Sequence, residues 1–126
     1  MNIVDSSGWL EYLADSSNAD FFSEPIENIP ELIVPLISIY EVFKRVLQQR
    51  DEEEALKAVA LMQQGEVIEM DVALVLNAAK ISTELKLPMA DSLILATAQK
   101  YQALLWTQDS DFKGIAGIKY IPKIDG

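Results

Sequence analysis

Four carboxylates sit where ordinary solvated surface charge does not account for them as a set. Asp5 directly follows the apolar run Ile3-Val4, and Glu41 lies between Tyr40 and Val42 at the start of an apolar segment. Asp91 sits within Met89-Ala90-Asp91-Ser92-Leu93-Ile94, and Asp109 directly follows Leu105-Trp106-Thr107. Singly, each has a structural reading: Asp5 and Asp109 as caps or Asx-turns, Glu41 as half of a capping box, Asp91 as a first-turn partner of a helix dipole. Jointly, carboxylates gathered at one place repel one another unless a cation neutralises them. Oxygen-only ligands with positions left open suit Mg²⁺ or Mn²⁺, which keep waters and bind phosphates. Such an ion lowers the pKa of a bound water, and phosphodiester hydrolysis fits that inventory.

The rest of the composition narrows the alternatives. The 126 residues include no His and no Cys. Ser-His-Asp triads, Cys-His dyads, imidazole metal sites, disulfides and thiolate metal centres are therefore excluded. Twenty Asp/Glu against ten Lys/Arg give a net charge of −10, which opposes broad electrostatic capture of nucleic acid and leaves only local basic strips or bound cations for that purpose. Half of the residues are hydrophobic, with a mean hydropathy of +0.13, enough for one well-filled core and too little chain for two. One domain over residues 1–126 is expected, with neither a membrane span nor a signal peptide, in the cytoplasm.

Positioning four acids together requires a suitable frame. Met1–Val4 reads as a strand, and Asp5-Ser6-Ser7 as the cap of a helix carrying Trp9, Leu10 and Leu13. Asn18–Ile29 reads as a second helix interrupted at Pro25, and Glu31–Pro35 as a strand. Ser38-Ile39-Tyr40-Glu41 has the form of a capping box opening a helix, with Ile39, Val42, Phe43, Val46 and Leu47 as its apolar stripe. Asp51–Gln64 begins with four acids and ends before Gly65, the charge order a helix dipole favours. Val67–Met70 is a strand candidate, and Asp71 caps a helix to Leu85 whose wide apolar face predicts deep burial. Pro88 opens a helix to about Tyr101, followed by a strand over Ala103–Thr107, a polar turn over Gln108–Lys113 and a last strand over Lys119–Ile121. Short apolar strands alternating with helices predict a three-layer α/β/α sandwich with a mainly parallel central sheet. In that frame the four acids fall at the carboxyl ends of strands or the starts of the following helices, the edge where ligands bind.

Taken together, these segments resemble the PIN domains, particularly the VapC-type toxins. The resemblance rests on Ile3-Val4-Asp5-Ser6-Ser7, Tyr40-Glu41-Val42, Ala90-Asp91-Ser92-Leu93-Ile94-Leu95-Ala96-Thr97-Ala98 and Thr107-Gln108-Asp109-Ser110-Asp111-Phe112, in the family's order over nearly the whole chain. It implies a Mg²⁺-dependent ribonuclease whose acidic quartet maps onto Asp5, Glu41, Asp91 and Asp109, with Asp111 as a neighbouring candidate for the fourth ligand. Ser6 and Thr107 match positions that orient carboxylates or waters. The resemblance also implies a cognate VapB-like antitoxin, inserting an apolar helix and basic side chains at the acidic edge, and a homodimer. A chain of net charge −10 suits a basic inhibitor segment. Lys44, Arg45 and Arg50, which follow Glu41, and Lys113, which follows Asp109, are the cations best placed to meet RNA phosphates.

Two other classes compete. A phosphoacceptor receiver domain is an α/β fold of similar length, loosely imitated by Asp71, Thr107 and Lys119. It needs adjacent acids after the first strand, where only Asp5 stands, and it leaves Glu41 and Asp91 without a role. A non-catalytic PIN module that only binds a partner would have no need of an intact quartet.

Overall fold

The computed structural model describes residues 1–124. Five short strands form its centre: β1 Asn2–Val4, β2 Ile33–Pro35, β3 Glu66–Ile68, β4 Leu104–Thr107 and β5 Ile118–Tyr120. Six helices connect them: α1 Ser6–Leu13, α2 Ala19–Glu27, α3 Leu36–Gln49, α4 Glu52–Met62, α5 Val72–Leu85 and α6 Met89–Tyr101. Every strand pairing is parallel, β1-β4-β5 in one group and β2-β3 in the other. A parallel bridge between Asn2 and Leu32 joins the groups, so the order across the molecule is β3-β2-β1-β4-β5.

Side chains alternate across this sheet with the period of two that a strand imposes. Ile3, Ile33, Ile68 and Leu105 enter one core, with Leu74, Ala78 and Ile81 of α5 and Leu93 and Ile94 of α6. Their neighbours Val4, Val34 and Trp106 enter a second core, with Trp9 of α1, Phe22 and Ile26 of α2, Val42 of α3 and Met62 of α4. Two apolar cores on opposite faces of one sheet make the three-layer α/β/α sandwich that the strand and helix alternation predicts.

Helix starts follow local chemistry at three places. Asp5, Asp51 and Asp71 accept hydrogen bonds from the backbone N–H groups of Gly8 (2.8 Å), Glu54 (2.9 Å) and Leu74 (2.8 Å), each satisfying a donor the first turn leaves unpaired. Gly8 has a further role, because a Cβ there would lie 2.6 Å from both Phe22 and Val4. Its missing side chain lets α1 close against β1 and α2.

The structure departs from sequence expectation in three helices. Pro25 does not interrupt α2, which runs through it to Glu27, with Phe22, Pro25 and Ile26 buried; burial against the sheet outweighs the one intrahelical bond that proline forfeits. The capping box at Ser38 does not form. α3 begins three residues earlier than a Ser38 cap would start it, at Leu36 after Pro35, whose extended backbone already leads into the helix, and Ser38 is a buried position inside it. Glu41 is thereby freed from capping. The deep burial expected for α5 is also wrong, since Val72 is 76% exposed and Leu76 61% exposed. α5 packs chiefly on α6, and α6, buried continuously from Ser92 to Ala98, takes the inner position. Only the Leu74, Ala78 and Ile81 stripe of α5 is therefore covered.

Candidate metal centre

The strand order reverses direction at β1, which has β2 and then β3 on one side and β4 and then β5 on the other. That switch point opens a crevice beyond the carboxyl ends of β1 and β4. Asp5 follows β1 there, and Thr107, Gln108 and Asp109 close β4 beside it.

Asp5 is 2% exposed. Its Oδ1 accepts from Gly8 N–H and Ser7 Oγ, and its Oδ2 accepts from Thr107 Oγ1 at 2.5 Å. The same Thr107 hydroxyl accepts from Asp109 N–H at 2.9 Å. One hydroxyl thus ties the β1 acid to the β4 turn. Burial raises the Asp5 carboxyl from 3.8 to about 6, against the lowering effect of the Thr107, Gly8 and Ser7 hydrogen bonds, and the nearby Asp109 charge adds to the rise.

Glu41 projects from α3, where Ser6 Oγ donates to its Oε1 at 2.5 Å. Asp91, in the first turn of α6, is half-buried. Burial raises its carboxyl from 3.8 to about 7, followed by repulsion from Asp109, Asp5, Glu41 and Asp111. Asp91 therefore lies in the field of all four other acids singled out from the sequence. Carboxylate oxygens of Asp91, Asp109 and Asp111 fall within 4.8 Å of one another. Asp109 and Asp111 both belong to this group, and Asp109 Oδ1 also accepts from Asp111 N–H at 2.9 Å. Asp5 and Glu41 stand outside that tightest group, held by Thr107 and Ser6. The donor set is entirely oxygen, from carboxylates of mixed burial, and fits a hard divalent cation.

The basic residues divide. Lys44 and Arg45 line a groove with Tyr40, Glu41 and Gln48, and Lys113 reaches to 5.9 Å over the Tyr120 ring beyond the Asp109 turn. Arg50 instead lines an apolar groove with Leu10, Leu13, Val46 and Leu61, away from Glu41 along α3. Asp71, on which a receiver reading leans, caps α5 and pairs with Lys100 at 3.4 Å.

Sequence reasoning missed a buried network behind the Asp109 turn. Asn18 donates to Gln108 Oε1 (3.0 Å) and Pro122 O (3.1 Å), and Gln108 donates to Glu11 (3.2 Å). Asn18 and Gln108 are nearly fully buried, so their amides fix the turn carrying Asp109 to α1 and to the chain after β5. Nothing in the spacing of Asn18 and Gln108, 90 residues apart, marks them as partners.

The Thr107 clamp gives a test of its own. Thr107→Val keeps the shape but removes the hydroxyl from a buried carboxylate and leaves Asp109 N–H unpaired, so denaturant unfolding at pH 7.5 is expected to show a loss of about 1.5–3 kcal/mol. Thr107→Ser, which keeps the hydroxyl, is expected to recover most of it. Equal losses in the two variants would mean that the methyl, not the hydrogen bonds, matters.

Fold and site together define an α/β protein with an all-carboxylate centre at the switch point of a parallel sheet. The PIN domain family profile matches residues 3–118, and the chain belongs to that family. None of the curated proteins matches it by sequence. Among solved structures, it is similar to a toxin-antitoxin complex from Klebsiella pneumoniae, at 23% identity over 94% of this chain and 96% of that one, with a TM-score of 0.76. It is also similar to VapC20 of Mycobacterium tuberculosis, a sarcin-ricin loop cleaving toxin, at 15% identity over 92% and 95% of the two chains, with a TM-score of 0.77. VapBC2 from Rickettsia felis, bound to a DNA fragment from its promoter, matches at 16% identity over 96% and 97%, with a TM-score of 0.75. Among the described residues no helix is long and apolar enough to cross a membrane.

Proposed function

We propose that this chain is a Mg²⁺- or Mn²⁺-dependent ribonuclease acting as the toxin of a VapBC-type toxin–antitoxin pair. The observation that carries the reading is the gathering of Asp91, Asp109 and Asp111 within 4.8 Å of one another at the sheet's switch point, with Asp5 and Glu41 close enough to add to the field on Asp91. A structural cap has no need of four like-charged neighbours. Family membership and the toxin neighbours support the same reading.

Asp91, Asp109 and Asp111 would hold the ion, and Asp5 and Glu41 would complete its negative surroundings. A divalent cation there supplies a Lewis acid that activates water and offsets the charge developing on the phosphate. Ser6 keeps the Glu41 carboxylate oriented, and Thr107 does the same for Asp5. Lys44, Arg45 and Lys113 meet the phosphates on either side of the acids, which a chain of net charge −10 needs in order to admit RNA at all. The partner is a VapB-like antitoxin with a basic inhibitory segment. The exposed apolar face of α5, with Val72, Val75 and Leu76, supports self-association into a homodimer.

The test is cleavage of a mixed RNA pool by purified protein with Mg²⁺, with Mn²⁺ and with excess chelator. Cleavage is expected only with metal. Chelator-resistant cutting that co-purifies with the protein would overturn the mechanism.

A further inference from the structure

Tyr40 is an exposed aromatic side chain beside the acidic centre that core packing does not explain. It is 61% exposed, one turn into α3 and adjacent to Glu41. With Glu41, Lys44, Arg45 and Gln48 it lines a shallow groove of about 390 Å³. Lys44 Nζ lies 5.8 Å from the ring centre, within cation–π range, which ties the ammonium to one side of the ring. An aromatic face, two cations and a side-chain amide thus share one groove with a proposed metal-site acid.

That combination matches the chemistry of an unpaired nucleotide: a flat π surface for the ring, anionic oxygens for Lys44 and Arg45, and a hydrogen-bonding edge for Gln48. We propose that Tyr40 is a stacking platform for one unpaired nucleobase of the substrate, next to the phosphate that is cut. The inference rests on the ribonuclease reading and deepens it by naming a residue of this chain that positions the substrate. Bases inside a duplex are already stacked on both faces, so only a splayed base gains from an exposed ring. Stacking also suits this chain's charge, because its attraction does not depend on a basic surface. Tyr120, the other tyrosine near the acids, is half-buried and held in β5 by pairing with Thr107, which leaves it less ring to offer.

The experiment is equilibrium binding of a fluorescent, unstructured 12-nucleotide RNA in Ca²⁺, with the RNA checked for intactness. Tyr40→Phe, which keeps the ring, is expected to bind like the wild type. Tyr40→Leu, which keeps apolar bulk but no π face, is expected to bind about 5- to 150-fold more weakly, the value of stacking one base. Thermal melts establish that both variants are folded, as the exposure of Tyr40 leads one to expect. An abasic nucleotide moved along the RNA should weaken wild-type binding at one position, and Tyr40→Leu should show no further loss there. Wild-type affinity in Tyr40→Leu, equal weakening by Phe and Leu, or a flat abasic scan would each overturn the platform. The wild type is assayed in parallel for Mg²⁺-dependent cleavage. Ring-dependent binding without cleavage would refute the ribonuclease reading, and with it the platform's place beside a cut phosphate, leaving Tyr40 as an RNA-stacking residue only; cleavage with ring-independent binding would overturn the platform and leave the ribonuclease reading standing.

Discussion

Asp91→Asn is expected to lower RNA cleavage at least ~100-fold while leaving the metal-free protein as stable as the wild type, or more stable. The magnitude follows from loss of a proposed cation ligand, since a cation's electrostatic effect on a reacting phosphate amounts to several kcal/mol. The sign of the stability change follows from what surrounds Asp91. Its carboxyl is raised to about 7 by burial and by Asp109, Asp5, Glu41 and Asp111, so at neutral pH the side chain is an electrostatic burden on the metal-free fold. An amide of the same shape removes that burden. Glu53→Gln is the matched control, since it also removes one negative charge. Glu53 is an exposed first-turn residue of α4, 3.7 Å from Lys57, and pairs of this kind contribute little. It should change neither activity nor melting temperature appreciably. Steady-state cleavage rates and thermal melts of the three proteins make the comparison, and equal activity losses in the two variants would show that global charge, not a metal centre, governs the reaction.

Much of this arrangement is legible in the amino-acid sequence, for identifiable reasons. The alternation of short apolar runs with helical stripes is a strong signal because each strand feeds both faces of the sheet, as Ile3 and Val4 do. The acids were legible because a carboxylate directly after an apolar strand or early in an apolar helix stands out from solvated charge. Three features were not. The capping-box pattern at Ser38 misplaced the start of α3, because Pro35 already provides the extended entry and Ser38 is drawn inside. The apolar width of α5 suggested burial, but sequence does not say which of two adjacent apolar helices lies inside, and α6 takes that place. The Asn18–Gln108–Glu11 network was invisible, since it joins segments that meet only once the sheet is assembled.

The same electrostatics predict an unusual response of stability to pH, and a divalent cation should reverse it. Asp5 and Asp91 have folded-state pKa values raised from 3.8 to about 6 and about 7. Between pH 4 and 7 the folded chain therefore keeps protons that the unfolded chain releases. Stability tracks the difference in bound protons, so without metal it should fall as pH rises through this window and level off above about pH 7. A cation at the carboxylates competes with those protons, and its stabilisation should accordingly grow from pH 5 to pH 8. At one hundred times its Kd, Mg²⁺ is expected to stabilise the fold by about 2.7 kcal/mol, roughly 5–15 °C in midpoint for a domain of this length. Asp91→Asn should flatten the metal-free decline, because it removes the group with the larger shift, and should lose most of the Mg²⁺ gain. Melts of wild type and variant across pH 5–8, with and without Mg²⁺ at matched ionic strength, supply all four curves. The burial of Asp5 and its bonds to Gly8, Ser7 and Thr107 persist in Asp91→Asn, so a residual decline ending near pH 6 should remain. A metal-free stability that rises over this range, with a Mg²⁺ shift indifferent to pH and retained by the variant, would make these carboxylates caps and turn-formers and remove the basis for a metal centre.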